Sequence, residues 1–257
     1  MKSRNIEFVL NSAPVILSLE TATMGGSIFL ARGTDALATR EGDSKVSHSN
    51  SILSDINECL NAAGLRLANI DLFACASGPG SFTGLRIGIA TLKALAATLD
   101  RPCVGVPTLN AVAQGAGLSS ATVALLPAGR GEVFAQMFTV TADEVVAVDT
   151  PAHLSPENLM ARYGRIPKVV WAGPAAHLHR ASLEDFADKH AIRFVIQAAE
   201  SEVPMNSWTL APANMNLAQN ISILALRRFA AGQVQNAESL RAIYVRPSDA
   251  EINQPCQ

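Results

Sequence analysis

The residue types nearest to chemistry lie in one run, Ser77-Gly78-Pro79-Gly80-Ser81-Phe82-Thr83-Gly84-Leu85-Arg86-Ile87-Gly88. Gly78 and Gly80 permit backbone angles closed to other residues, Pro79 fixes the bend between them, and Ser81 is a natural N-cap for a following helix. A glycine-rich turn leading into helix N–H groups is one way to hold an anion. The spacing fits neither the P-loop nor the dinucleotide fingerprint, and this favours a tight structural turn at Gly78, Pro79, Gly80 and Ser81. Ser81 at a strand-to-helix bend has the outline of a nucleophile elbow, but the pattern is not G-x-S-x-G and no histidine stands out as its base. His177 and His179 are two apart and would leave a helix on different sides, whereas a shared metal needs both on one. The sequence therefore assigns neither a catalytic group nor a set of metal ligands.

The elements around this run are legible. A short apolar stretch over 70–76 reads as a central strand, and 81–99 as a long helix. That helix carries only Arg86 and Lys93 before Asp100 closes it. Phe82, Leu85, Ile89, Leu92, Ala96 and Leu99 form one seam; Gly84, Gly88, Thr91, Leu95 and Thr98 form a flatter second one. A helix apolar on most sides is buried on most sides. The first seam is expected on a sheet. The second is covered either by a neighbouring helix of the same chain or by another protein, and composition leaves both open. Upstream, strands are expected over 13–19, 27–31 and 36–41 and a helix over 49–63, with Ile52, Ile56, Cys59, Leu60 and Ala63 on one face. Downstream come a strand over 103–106 and a short helix over 108–115. The order then restarts, with strands over 122–126, 132–140, 144–148, 168–171 and 192–196. Helices are expected over 156–163, 174–189 and 215–231. Two lobes of similar topology follow from that repetition.

The bulk composition narrows the function. Hydrophobic residues make up 49% and charged residues 16%, and the net charge is −2. No basic run is present to grip a phosphate backbone, so any link to nucleic acid runs through a partner. Cys59, Cys75, Cys103 and Cys256 are scattered with no CxxC pair, as expected of reduced thiols. The first twelve residues lack a signal-peptide core, and Glu20 and Gly25-Gly26 interrupt the apolar stretch over 15–31. No membrane association is expected, and cytoplasm is the expected location.

The run GPGSFTGLRIG resembles the signature of the TsaB (YeaZ) family, with Phe82, Thr83, Leu85 and Arg86 in place. His48-Ser49 and Ala63-Gly64-Leu65 at the ends of the first long helix also resemble it, as do Val104-Gly105-Val106 with Leu109 and the tail Tyr244-Val245-Arg246-Pro247-Ser248-Asp249-Ala250-Glu251. The likeness is strong over 14–113, weaker over 114–215, and returns at the end of the chain. It implies an α/β chain of the actin/Hsp70/sugar-kinase-like (ASKHA) fold, with two RNase H-like lobes of mixed sheets flanked by helices. The expected divisions are an extension over 1–13, a first lobe over 14–106 completed by 215–257, and a degenerate second lobe over 107–214.

The resemblance further implies a scaffold that activates TsaD, the catalytic relative, in transferring threonylcarbamoyl to N6 of adenosine 37 of tRNA. Ile52, Leu53, Ile56, Phe82, Gly84, Leu85, Arg86, Gly88 and Ile89 are the expected contact residues, and the resemblance also implies a homodimer when the chain is alone, a TsaE-like ATPase as a third partner, and tRNA reached only through the complex. TsaD-like relatives carry two metal-binding histidines where Thr108 and Val112 stand here, which argues against an older glycoprotease label. In kinase-like members of the fold a carboxylate and small residues after the first strand hold Mg²⁺ and phosphate. Glu20, Thr21 and Thr23 occupy that place, with Glu20 in place of the family's shorter Asp. No cofactor is expected to be required, nucleotide binding is expected to be weak, and a small-molecule kinase is the competing reading. Pro127 stands where the family usually begins an Asp-Ala-Arg run.

Overall fold

The computed structural model describes residues 13–43, 48–196, 207–213 and 216–245, with side chains in the first long helix described from 51 onward. The first twelve residues of the expected extension, the side chains of His48 and Ser49, the tail motif from Arg246 and Cys256 lie outside the described residues.

The first strand, β1 (Val15–Glu20), is buried along its whole length, and its alternation decides what lies on either side of its sheet. Val15, Leu17 and Leu19 enter one apolar cluster with Ile52, Ile56, Ile89 and Leu92, while Ile16 enters another with Ile221 and Leu224. Successive side chains of a strand point to opposite faces, so such a strand must be covered twice. β2 (Ser27–Arg32) and β3 (Asp35–Glu41) extend the sheet antiparallel on one side. β4 (Leu72–Gly78) and β5 (Cys103–Pro107) extend it parallel on the other. The order is β3-β2-β1-β4-β5. Helices α1 (His48–Ala62) and α2 (Phe82–Leu99) contribute to the first cluster. The opposite face receives α7 (Leu217–Ala230), which comes from the far end of the chain and packs on β1, β2, β4 and β5.

The second sheet repeats this plan. β6 (Ser119–Gly129) pairs antiparallel with β7 (Glu132–Val140), which pairs with β8 (Val145–Ala147). β10 (Val169–Ala172) and β12 (Ser207–Leu210) lie parallel on the other side of β6. Two additions distinguish it: β9 (Ala152–Leu154) beside β7, and β11 (Arg193–Ile196) beside β12. One face carries α4 (Pro156–Tyr163), α5 (Pro174–Leu178) and α6 (Arg180–Lys189), whose residues join an apolar cluster with Trp171 and Trp208. α3 (Thr108–Gly115) covers β6, β7 and β8 from the other face and packs against α7. A single apolar cluster therefore runs from Ile16 and Leu72 in the first sheet, through α3 and α7, to Leu126, Phe134 and Val170 in the second.

The expected strand order lacked β9 and β12, and the expected helix over 174–189 divides at His179. All four residues of β12 are buried, Ser207 and Thr209 as fully as Trp208 and Leu210. β12 does alternate, Ser-Trp-Thr-Leu, but four residues are too few for that period to stand out from the surrounding sequence.

Candidate functional site

The turn after β4 is held by its neighbours on three sides. The N–H of Ser81 donates to the Ala22 carbonyl (2.7 Å), and the N–H of Ile243 donates to the Ser77 carbonyl (2.7 Å). The Gly78 N–H donates to the Thr108 hydroxyl at 3.2 Å. Gly78 and Gly80 adopt φ of +113° and +155°, and each has backbone pressed against it. A Cβ on Gly80 would lie 2.6 Å from the Ala22 carbonyl oxygen, and one on Gly78 would collide with that of Ile243. Ser81 caps α2, its hydroxyl accepting from the Gly84 N–H at 3.2 Å. The N–H groups of Gly78, Ser81, Gly84 and Leu85 are thus engaged within the chain.

The glycines of the second seam of α2 are covered by this molecule itself, contrary to the expectation that Gly84 and Gly88 face a partner, while Thr91 and Leu95 are half-buried and Thr98 is exposed. The Thr21 hydroxyl donates to the Gly84 carbonyl at 2.8 Å. A Cβ on Gly84 would strike the Thr21 carbonyl, and one on Gly88 would strike the Thr21 side chain. These glycines are small because the end of β1 lies on them. Leu85, Ile89, Ile52 and Ile56 are likewise buried in the chain's own core. Of the nine expected contact residues, only Arg86, Leu53 and the half-buried Phe82 reach the surface. The exposed side of α2 is instead Thr83, Arg86, Ala90, Ala94, Ala97 and Thr98. Beside it, α1 exposes Leu53 (64%), Asn57, Glu58 and Asn61. Among the described residues α2 is the one helix long and apolar enough to cross a membrane by length and composition, with hydropathy 1.3. Its buried side lies on the first sheet.

The candidate nucleotide residues are engaged in building the β1–β2 turn. Glu20 is buried (2%), and its two carboxylate oxygens accept from the N–H (2.8 Å) and hydroxyl (2.6 Å) of Thr23. The cleft beside them, about 420 Å³ in volume, is lined by Glu20, Glu41, Asn216 and Pro174, with no basic side chain among the described lining residues. Thr108 and Val112 are fully buried. No group of three or more His, Cys, Asp or Glu converges among the described residues. His153 pairs with Glu132 at 2.8 Å, His177 meets the Ala211 carbonyl and His190 that of Phe186.

A larger cavity was not foreseen from the sequence. About 560 Å³ opens between the lobes, bounded by the β1–β2 turn, the start of α2, the β6–β7 hairpin, α5 and residues 243–245. Pro127 and Ala128 form part of its wall, so the departure from the family's Asp-Ala-Arg run makes this wall apolar. The ring of Tyr244 lies 5.1 Å from that of Phe82, and the Arg86 guanidinium stacks 3.8 Å over the latter. The exposed Met24, Leu178 and Tyr244 were the available signal, but each is isolated in sequence and only the fold gathers them.

Two sheets with the same strand plan, facing across a cleft and joined by an inner helix from each, define a two-lobed α/β protein of the actin/sugar-kinase-like class. The family described as TsaD: tRNA N6-adenosine threonylcarbamoyltransferase matches residues 43–238. The chain belongs to that family, and its named relatives place it with the TsaB (YeaZ) proteins. The tRNA threonylcarbamoyladenosine biosynthesis protein TsaB of Escherichia coli is 36% identical over 127 residues, which is 46% of this chain and 52% of that protein. The Bacillus subtilis protein of the same name is 28% identical over 173 residues, 66% of this chain and 75% of that one. The chain spans about half the length of the E. coli relative. In fold it matches YeaZ from Pseudomonas aeruginosa with a TM-score of 0.71 at 24% identity, covering 90% of this chain and 99% of that one.

Proposed function

We propose that this chain is a non-catalytic subunit in the synthesis of N6-threonylcarbamoyladenosine on tRNA, steadying a TsaD-type catalytic subunit through the outer faces of α1 and α2. The observation that carries this reading is the exposed side of α2, where Arg86 is the one charge among Thr83, Ala90, Ala94, Ala97 and Thr98. A solvated helix face is ordinarily polar. A row of alanines instead lets a second helix approach closely, and aliphatic Leu53 with Asn57 on α1 widens the platform. The relatives named as threonylcarbamoyladenosine biosynthesis proteins supply the pathway. Thr108 and Val112 support a non-catalytic role, since neither is an imidazole and the Thr108 hydroxyl is engaged with Gly78. On this reading the same face pairs two copies when the catalytic subunit is absent. A TsaE-like ATPase joins the assembly, and tRNA is reached only through it. No cofactor is required, and nucleotide binding at Glu20, Thr21 and Thr23 is weak because Glu20 already accepts from Thr23.

The test is co-purification with a TsaD-type subunit, comparing wild type with Ala94→Arg and Ala90→Glu, both on the exposed face. Retention by wild type and loss of roughly tenfold in affinity by each variant, about 1.4 kcal/mol, is expected with melting temperature unchanged. Equal binding by both variants would place the contact elsewhere. Threonylcarbamoyl transfer by the chain alone would refute the non-catalytic role.

A further inference from the structure

The 560 Å³ cavity between the lobes plays no part in the proposed scaffold role, and its chemistry differs from that of the acidic cleft beside it. Its walls present flat apolar faces: the rings of Pro79, Pro127 and Pro174, and those of Phe82, Phe134 and Tyr244. Apart from the Tyr244 phenol, no ionisable side chain is among the described lining residues. Arg86 stacks on the Phe82 ring and is not part of the lining. The rim gathers four of the large apolar residues that the described chain exposes: Met24 (85%), Leu178 (72%), Tyr244 (46%) and Ile243 (40%). These come from both lobes and from the last described segment, so the patch exists only in the folded molecule.

We infer that this cavity is a binding site for an uncharged, ring-bearing small molecule. Its volume falls in the range of small-molecule sites, roughly 300–1,000 Å³. An anion would leave water for a lining with no cation to receive it. A peptide strand would need main-chain partners, but on this wall the Ala22 carbonyl already accepts from the Ser81 N–H, the Ile243 N–H already donates to Ser77, and Pro79, Pro127 and Pro174 have no N–H to give. What remains is a slot of flat faces, for which a neutral planar ring is the complement.

The probe pair is N-phenyl-1-naphthylamine and its sulfonated analogue 8-anilino-1-naphthalenesulfonate, which share a ring frame and differ in charge. Titrated into the full chain, the neutral probe is expected to brighten saturably at one equivalent, with the sulfonate binding at least about tenfold more weakly. Ala128→Trp, which fills the cavity, should abolish the signal. Leu178→Asp, at a position 72% exposed and so neutral for folding, should weaken neutral-probe binding about tenfold by placing a charge on the rim. Ala94→Arg, on the far face of α2, should leave probe binding intact, separating this site from the scaffold role. No saturable binding in wild type, equal affinity for both probes, or indifference to Leu178→Asp would each overturn the inference.

Discussion

Thr21 and Thr108 act through hydroxyls that join separate segments of the backbone. Thr21 holds β1 to the first turn of α2 through the Gly84 carbonyl, and Thr108 receives the Gly78 N–H from the β4–α2 turn. Thr108→Val keeps the volume but strands a buried donor, at a cost of about 1–3 kcal/mol in urea unfolding. Gly84→Ala should cost a similar ~1–3 kcal/mol, because the new methyl meets main chain rather than a side chain able to move aside. A Gly84→Ala protein with wild-type stability would show that β1 does not lie on that glycine. The buried thiols give a pH signature. Burial pushes Cys59 from an ordinary value of 9.0 up to about 11, and it raises Cys75 and Cys103 as well. A thiol whose folded pKa lies above its unfolded one contributes stability that is whole below the unfolded value and is lost as pH rises through the folded one. The urea midpoint should therefore be level up to about pH 9 and fall from there toward 11, with a shallower fall in Cys59→Ala. An identical slope in that variant would refute the assignment. The sequence favours a structural role for the Gly78–Ser81 turn because its spacing fits no phosphate motif. It misplaced Gly84 and Gly88 because periodicity groups residues into seams without saying which seam meets the chain's own β1.

Helix ends were the most legible elements, for a local reason. α4 begins where Ser155 caps and Pro156 takes the first position, and its sequence-read span of 156–163 matches the structure. α3 matches likewise over 108–115. Caps depend on residues three or four apart, whereas β9 and β12 depend on partners far along the chain and carry no such marker. The long helix α2 ends with Asp100 in the left-handed region at φ +50°. A non-glycine residue pays roughly 1–2 kcal/mol there, so Asp100→Gly should raise the melting temperature by a few degrees even though it adds no contact. A fall would mean that the aspartate side chain contributes more than its backbone strain costs.

The molecule as a whole repeats one strand plan twice, and the sequence disclosed this through element order while the residues themselves do not repeat. Strand order within each sheet and the return of α7 to the first lobe depend on contacts distant along the chain, and no local pattern records them. Because Ile16, Leu109, Val112, Phe134, Val170 and Ile221 belong to one apolar cluster, the lobes should unfold together. Calorimetry should give one transition whose calorimetric and van't Hoff enthalpies agree, and two resolved transitions would refute that coupling. The same cluster bears on movement. Proteins that swallow a substrate by swinging two halves together need a thin connection that can bend, or layers that can slide. Here α3 and α7 cement the halves from within, so swinging them would tear dry interior open to water. The space between them is therefore expected to behave as a niche shaped before anything arrives, and not as a jaw.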